Sequence, residues 1–255
     1  MFGFKEIEHK KYKNNFLKTV VFQVDFDKCI NLKEHDSKIE KLFKINFPRF
    51  NSAQGKGFEI SLNNENPNFQ QINDGHTINL KSENGQRVIK VTEKSLSFTI
   101  GGSSYSYFDN LIDDFNCIIS FLELCKIDTV NRLAIRKINL VEFKNNENPS
   151  DILKFLLNPN IVSQIDDFPN RQLVNHSIQS INYKDENNFL NIKYGLNIPP
   201  QLNSEVGHLI IDIDLFKQEK IKIKDIIKNS KSINSEIFNI FSWLINDNTK
   251  KILNE

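Results

Sequence analysis

The chain reads Val130-Asn-Arg-Leu-Ala-Ile-Arg-Lys-Ile-Asn-Leu-Val-Glu-Phe143 near its middle, and this stretch decides the fold. It contains no glycine or proline, and its residues alternate with the period of a strand. One face carries the two arginines together with apolar residues, and the other face carries Leu133, Ile135, Val141 and Phe143. Because neither face is wholly polar, the strand is predicted to lie inside a sheet and to divide the chain into two similar halves.

Before this strand, alternating apolar positions predict strands at 17–26, 58–62, 78–80, 87–91 and 95–100. Asn84-Gly85 predicts a two-residue hairpin turn. Asp36-Ser37 predicts the N-cap of a short helix that Pro48 ends, and helical spacing predicts a second helix up to about Cys125. The first half therefore reads as an antiparallel meander covered by helices.

The second half repeats this order. Pro149 opens a short helix, residues 158–170 read as a linker, and strands are predicted at 174–183, 189–196 and 208–216. A helical region begins at 223–227, and Asn234-Ser-Glu predicts the cap of a further amphipathic helix. The predicted fold class is α+β, with two pseudo-repeated halves at 1–127 and 128–255. Each half is an antiparallel sheet covered by helices, and the halves are either two closely packed domains or one.

The amino-acid composition limits the functions that the protein can have. At 255 residues the chain can bury a substantial core, and its 21 Phe against one Trp and one Met favour an aromatic, sheet-rich core. Lys and Arg number 33 against 32 Asp and Glu, so the formal net charge of +1 gives no overall field for nucleic acid or anionic membrane. Binding of either would have to be local.

The three cysteines, Cys29, Cys117 and Cys125, form no C-x-x-C pair, which favours a reducing compartment over a disulfide framework. The start of the chain has no basic segment followed by an apolar one, and no apolar run approaches the roughly 20 residues of a membrane span. A cytoplasmic protein without a membrane segment is therefore expected.

Asp212 and Asp214 are the best candidates for chemistry, because carboxylates two apart on a strand point the same way and could hold a divalent cation. The Gly-Ser turn that precedes such a pair in nucleotidyltransferases is missing here. Gly101-Gly-Ser-Ser104 lacks the lysine of a phosphate-binding loop, so it is expected to be a turn into a helix capped by Ser104 or Ser106. The histidines have no zinc-ligand spacing. We therefore expect no catalytic residue, no cofactor and no metal, with Asp212 and Asp214 as the alternative.

Arg132 and Arg136 project from one face of the central strand, where a buried guanidinium requires a partner. That partner is either an internal carboxylate, for which Asp25, Glu59 and Asp212 are the candidates, or an external anion. The densest basic stretch runs from Lys217 to Lys231 and is either a phosphate-binding surface or a solvated helix edge. The candidate binding residues are Arg132, Arg136, Lys217, Lys220, Lys222 and Lys224.

Three segments carry a resemblance: Asn15-Phe-Leu-Lys-Thr-Val-Val-Phe-Gln23, Arg132-Leu-Ala-Ile-Arg-Lys-Ile-Asn139 and Leu209-Ile-Ile-Asp-Ile-Asp214, followed by a helix with Phe238 and Phe241. Together they resemble a sporadically distributed, conserved-hypothetical family of bacterial and archaeal proteins of similar length. The resemblance implies no catalytic residues. It implies an accessory gene that comes and goes between genomes, as genes of defence systems and mobile elements do.

The expected function is a non-enzymatic cytoplasmic binding or assembly subunit, within an accessory system such as mobile or antiviral defence. Its partner, another protein or a second copy, is expected to dock on the C-terminal helix or on an exposed sheet edge. One alternative is a nucleic-acid-binding accessory factor that uses Arg87, Arg132, Arg136 and the 217–231 stretch. The other is a metal-dependent phosphoryl-transfer or nuclease enzyme that uses Asp212 and Asp214.

Overall fold

A computed structural model describes residues 2–7, 12–63, 66–144, 149–162, 169–170, 176–197 and 206–255. These ranges contain both strands and α-helices. In chain order they are β1 (Leu17–Asp25), α1 (Leu32–Phe43), β2 (Arg49–Asn63), β3 (Asn66–Lys81), β4 (Arg87–Val91), β5 (Ser95–Gly101), α2 (Ile112–Leu124), β6 (Thr129–Val130), β7 (Arg132–Lys144), α3 (Pro149–Leu156), β8 (His176–Asp185), β9 (Asn188–Asn197), β10 (Val206–Lys217), β11 (Ile221–Lys222), α4 (Ile226–Leu244) and α5 (Asp247–Asn254).

The main sheet has nine strands in the order β2-β3-β4-β5-β1-β7-β10-β9-β8, and β11 pairs with β6 in a small second sheet. The pairs β2–β3, β3–β4, β4–β5, β10–β9 and β9–β8 are antiparallel. The predicted mixture of helices and antiparallel strands is therefore confirmed, and β7 lies inside a sheet as expected. The strands follow one nine-stranded order, however, where two separate sheets were expected. The internal repeat stays a prediction.

The chain divides into two compact units, each built from separated stretches. The α1 unit comprises Phe22–Leu133 and Glu219–Ile227. The β8 unit comprises Met1–Val21, Ala134–Gln218 and Lys228–Glu255. These stretches interleave along the sequence, whereas the predicted halves were contiguous.

In the β8 unit, alternate residues of β9 and β10 form a fully buried face. Because the side chains of a strand alternate between its two faces, the intervening residues lie on the opposite face, where most are at least partly exposed and Asp212 is buried. Leu153 of α3 lies near Tyr194 on the buried face, and the Tyr194 hydroxyl donates a hydrogen bond to the carbonyl of Ile161. We call this the helix-covered face. Its buried strand residues are Leu190, Ile192, Tyr194, Leu196, Leu209, Ile211, Ile213 and Leu215.

The core of the α1 unit is aromatic, as the composition predicted. Phe22 packs edge-on against Phe115 of α2 with ring centroids 4.6 Å apart, and Phe47 packs edge-on against Phe98 of β5 at 5.8 Å. Such edge-to-face pairs add to the stability gained from burial alone. Phe43 of α1 contacts both Phe47 and Phe121, which ties α1 to α2.

Three local predictions were wrong at helix starts. α1 begins at Leu32, so Asp36 lies inside the helix and not at its N-cap. α2 begins after a 3-10 turn at Phe108–Leu111, so neither Ser104 nor Ser106 caps it. α4 runs unbroken through Asn234, which is buried inside the helix. None of the described helices combines the length and the apolar character needed to cross a membrane.

Candidate docking surface

β8 is an edge strand of the β8 unit. It pairs with β9 over ten consecutive residues without a register shift, and in the sheet order of the described strands no other strand follows it. The backbone groups on the outer side of an edge strand are a ready template for another strand. Most residues of β8 are exposed, and Ser177, Ile178 and Ile181 are half-buried.

β8 lacks the features that usually protect an edge strand. Natural edges carry charges, prolines or bulges that block pairing with another chain. The stretch Ser177–Tyr183 contains none of these, and the charges of Lys184 and Asp185 lie only at the end of the strand. By contrast β2, at the other end of the sheet order, has a register shift between Gln54 and Lys56.

An aromatic cluster of Phe2, Phe4, Tyr183 and Trp243 lies beside this edge. Phe4 contacts Trp243 with ring centroids 5.3 Å apart and Tyr183 at 6.3 Å, and Phe2 contacts Tyr183 at 6.1 Å. Trp243 remains 38% exposed and Tyr183 37% exposed. Exposed Trp and Tyr are the residue types most enriched at the centres of protein interfaces.

α4 holds the N-terminal segment in place through two polar side chains. The backbone N–H of Phe2 donates to Glu236 Oε1, and that of Ile7 donates to Asn239 Oδ1, each at 3.1 Å. Residues 236, 239 and 243 fall on one side of a helix, since positions three and four apart are neighbours. The N-terminal segment is therefore held against α4, where Phe4 contacts Trp243.

Arg136 binds Asp212 through two parallel hydrogen bonds. Arg136 Nε donates to Asp212 Oδ1 at 2.8 Å, and Nη2 donates to Oδ2 at 2.6 Å. This bidentate geometry is the strongest common form of ion pair, and it raises the pKa of Arg136 above its usual value. The Asp212 side chain is 10% exposed, but that of Arg136 is 46% exposed. Asp212 is one of the internal carboxylates considered as a partner, but nearly half of the Arg136 side chain is exposed, so its guanidinium is not buried.

This ion pair bears on the metal candidates. Both oxygens of Asp212 are engaged by Arg136, so a cation at this position would have to displace the guanidinium. Asp214 Oδ2 accepts a weak hydrogen bond of 3.4 Å from Asn191 of β9. No cluster of three or more His, Cys, Asp or Glu that could hold a metal ion occurs in the described ranges.

The other candidate binding residues are spread over both units. Arg132 lies 3.6 Å from Asp25 in the α1 unit, and Lys217 donates to Asn229 at 2.9 Å in the β8 unit. Lys220, Lys222 and Lys224 are exposed in the α1 unit. Within each unit the structure thus places the arginines in ion pairs and leaves these three lysines facing solvent.

A Ser-His-Asp group in the α1 unit has the residue types of a hydrolase triad. Ser52 Oγ lies 2.7 Å from Asp36 Oδ2 and 2.6 Å from His76 Nε2, and Nε2 lies 3.3 Å from both carboxylate oxygens. In a triad the carboxylate instead binds Nδ1, but His76 Nδ1 is buried with no partner among the described residues. The contacts are best satisfied when Nε2 carries the proton and the Ser52 hydroxyl donates to Asp36. In that state His76 cannot accept the proton of Ser52, so the group is a structural network.

Arg87 binds a second buried carboxylate, Asp114 of α2. Its guanidinium also lies 5.1 Å from the ring centre of Phe47 and 5.9 Å from that of Phe98. Burial raises the pKa of the Asp114 carboxyl, while the positive charge of Arg87 acts in the opposite direction. The half-buried Arg87 is therefore held against the aromatic core of the α1 unit.

Lys137 of β7 has a strongly altered titration. Burial lowers the pKa of its ammonium group to about 7. Lys137 was not singled out from the sequence, because a lysine between Arg136 and Ile138 carries no local signal of burial.

Comparison of the chain with protein-family models and with curated proteins gave no match.

The aromatic cluster was missed from the sequence for a similar reason. Residues 2–7 have no strand or helix pattern, and their contacts reach residues more than 170 positions away. The single Trp of the chain was the one available signal, since an isolated Trp near the end of an amphipathic helix often marks a contact surface.

Proposed function

We propose that the protein is a non-enzymatic binding or assembly subunit of the cytoplasm that docks a protein partner on the β8 edge. The observation that carries this proposal is the unprotected strand Ser177–Tyr183, which ends beside the exposed ring of Tyr183. Strand addition supplies affinity through main-chain hydrogen bonds and specificity through alternate side chains. The aromatic cluster supplies anchor residues at one end of that strand.

A comparison of matched variants tests the proposal. Ile181→Lys places a charge in the middle of β8, and Ile45→Lys places the same charge at a position of the α1 unit that is 95% exposed. Each tagged protein would be purified from its native host and the bound proteins quantified. We expect one or more specific partners to be lost with Ile181→Lys and kept with Ile45→Lys. Equal recovery with both variants would exclude the β8 edge as the docking site.

The resemblance to a sporadically distributed family supports placing this subunit in an accessory system, such as mobile or antiviral defence. Recurrent gene neighbours of known defence function would support that assignment. Neighbours drawn at random from housekeeping genes would contradict it.

Nucleic-acid binding is the second candidate, because Lys220, Lys222 and Lys224 are exposed close together in sequence. Arg87, Arg132 and Arg136 are held by carboxylates, so the lysines would carry the contact. Binding through them must weaken steeply with salt. A mobility-shift titration at low and high salt decides this, and absence of binding at low salt would remove the candidate.

A further inference from the structure

We propose that the partner of β8 is β8 of a second copy of this chain, paired antiparallel about a two-fold axis at Ile181. This inference rests on the proposed docking role of the β8 edge and names its occupant. Closed two-fold dimers are the commonest assemblies of identical chains, and they use one self-complementary surface on both copies.

The charges on β8 favour antiparallel pairing. Lys184 and Asp185 occupy the same end of the strand, and the stretch Ser177–Tyr183 is uncharged. Parallel pairing in register would place each charged residue beside the identical residue of the second copy, and like charges directly opposite are destabilising. Antiparallel pairing instead sends the charged ends in opposite directions. It also places Asp185 opposite the uncharged Ser177 of the second copy.

The alternation of side chains restricts the register. A two-fold axis perpendicular to the sheet keeps the helix-covered faces of both copies on the same side. Odd-numbered residues of one β8 must therefore lie opposite odd-numbered residues of the other, and even-numbered opposite even-numbered. Ser177, Gln179, Ile181 and Tyr183 share the helix-covered face, because their partners in β9 are the buried residues Leu196, Tyr194, Ile192 and Leu190. The axis must therefore pass through one residue of β8.

Ile181 is the residue that best fits this axis. It is half-buried in the middle of β8, and pairing it with itself covers apolar surface with apolar surface. The same register sets Gln179 opposite Tyr183, where the amide can cover the exposed ring. An axis at Ser180 would instead set Ile181 opposite Gln179 and Ile178 opposite Asn182. That register sets both isoleucines opposite polar residues, whereas the axis at Ile181 does so only for Ile178, which faces Lys184.

The first test is the mass of the full chain in solution, measured by sedimentation over a wide concentration series. We expect the unmodified chain and Ile45→Lys to form a dimer. Ile181→Lys should raise the dissociation constant about tenfold or more, because two lysines would face each other at the axis. Circular dichroism and thermal unfolding show whether each variant is folded before its mass is interpreted. A chain that stays monomeric at every concentration overturns the inference.

Cysteine cross-linking is the second test, and it does not depend on a disruptive variant. In a Cys29→Ser background, which removes the exposed native thiol, Ile181→Cys and Ser180→Cys are oxidised separately. Residues directly opposite across two strands are close enough for a disulfide, whereas diagonal neighbours at about 7–8 Å are not. Ile181→Cys should give a covalent dimer and Ser180→Cys should not. Cross-linking through Ser180→Cys alone overturns this register.

The outcomes also separate this inference from the proposed function. If the chain is monomeric but Ile181→Lys still loses a captured protein, β8 docks a different partner and only the dimer is overturned. If the chain is monomeric and Ile181→Lys captures the same proteins as Ile45→Lys, both proposals fail.

Discussion

Arg87 and Arg136 each bind one buried carboxylate, yet their surroundings differ. Arg87 is covered by two aromatic rings and sits 27% exposed against Asp114, whereas nearly half of the Arg136 side chain faces solvent. Removing one member of a buried ion pair leaves an uncompensated charge, and the cost depends on how easily water reaches that charge. The two arginines therefore predict different losses of stability.

Arg87→Met should lower the free energy of unfolding by about 3–5 kcal/mol, because Asp114 would be left buried without its counter-charge. The double variant Arg87→Met, Asp114→Leu should recover much of this loss. Urea denaturation monitored by circular dichroism gives both values. Arg49→Met is the matched control, since Arg49 pairs with Glu83 on the surface and should cost less than about 1 kcal/mol. Equal losses for Arg87→Met and Arg49→Met would contradict the prediction.

Arg136→Met should cost less, about 1–3 kcal/mol, because water can enter as the half-exposed guanidinium leaves and can solvate Asp212. The same denaturation experiment measures it. A loss as large as that of Arg87→Met would mean that water does not reach the Asp212 carboxylate in the variant. A loss near zero would mean that the ion pair contributes nothing to the free energy of unfolding.

Lys137 predicts a pH-dependent stability. Its folded pKa is about 7, against about 10.4 for an unfolded lysine, so between these values the unfolded chain binds the extra proton. Burial of the Lys137 ammonium group therefore lowers the free energy of unfolding by its full amount below about pH 7, and this loss of stability decreases as the pH rises towards about 10. Lys137→Met should stabilise the protein at about pH 6 much more than at about pH 9.5. Denaturation midpoints at the two pH values measure this, with the exposed Lys90→Met as control. A pH-independent effect of Lys137→Met would be inconsistent with a lowered pKa.

At the scale of secondary structure, the pairing of β8 with β9 depends on one glycine. Gly195 has a φ of +144°, and a Cβ atom built on it would lie 1.9 Å from the backbone oxygen of Ser177. The backbone of one strand would have to move to accommodate any side chain. This position therefore requires glycine both for its conformation and for the close approach.

Gly195→Ala should destabilise the protein by about 3 kcal/mol or more and expose the amides of β8 to hydrogen exchange. Gly85→Ala is the matched control, because Gly85 has a φ of +69° but no atom lies within 4 Å of the point that a Cβ atom would occupy there. That control carries only the conformational cost of about 1–2 kcal/mol. Similar losses of stability for the two variants would show that the backbone moves away from the clash with Ser177 at little cost in free energy.

Elements with a local signal could be predicted from the sequence. β4 begins and ends where the alternation does. The predicted hairpin is present and Gly85 has a positive φ, but its loop is longer than the two residues expected, because the Ser82 N–H donates to the carbonyl of Arg87. Helix starts were less predictable. The local sequence Asn234-Ser-Glu favours a helix N-cap, but buried isoleucines on both sides of it keep α4 continuous. Asp212 was among the partners considered for Arg136, but the register that joins them depends on contacts 76 residues apart. Neither the β8 edge nor the aromatic cluster is encoded in any short window.

At the scale of the whole molecule, the proposed dimer makes thermal stability depend on concentration. A partner that binds only the folded state stabilises it by mass action. The Tm of the unmodified chain should therefore rise with protein concentration, and the Tm of Ile181→Lys should begin to rise only at concentrations about tenfold higher or more. Scanning calorimetry over a dilution series measures both. A Tm that is independent of concentration for the unmodified chain would argue against a dimer.

The interleaving of the two units has a consequence for synthesis on the ribosome. The α1 unit ends with Glu219–Ile227, whose Ile221 and Lys222 pair with Val130 and Thr129, and the β8 unit needs Lys228–Glu255. The α1 unit has all of its residues only after Ile227 has been translated, and the β8 unit only after Glu255. Domains that are contiguous in sequence fold one after another as they emerge from the ribosome. In this protein, much of the apolar surface of each unit stays exposed to solvent until the later stretch of that unit has been synthesised. Translation speed over the codons for residues 219–255, and chaperones that bind nascent chains, should therefore influence the yield of folded protein more than they do for a protein of two sequential domains.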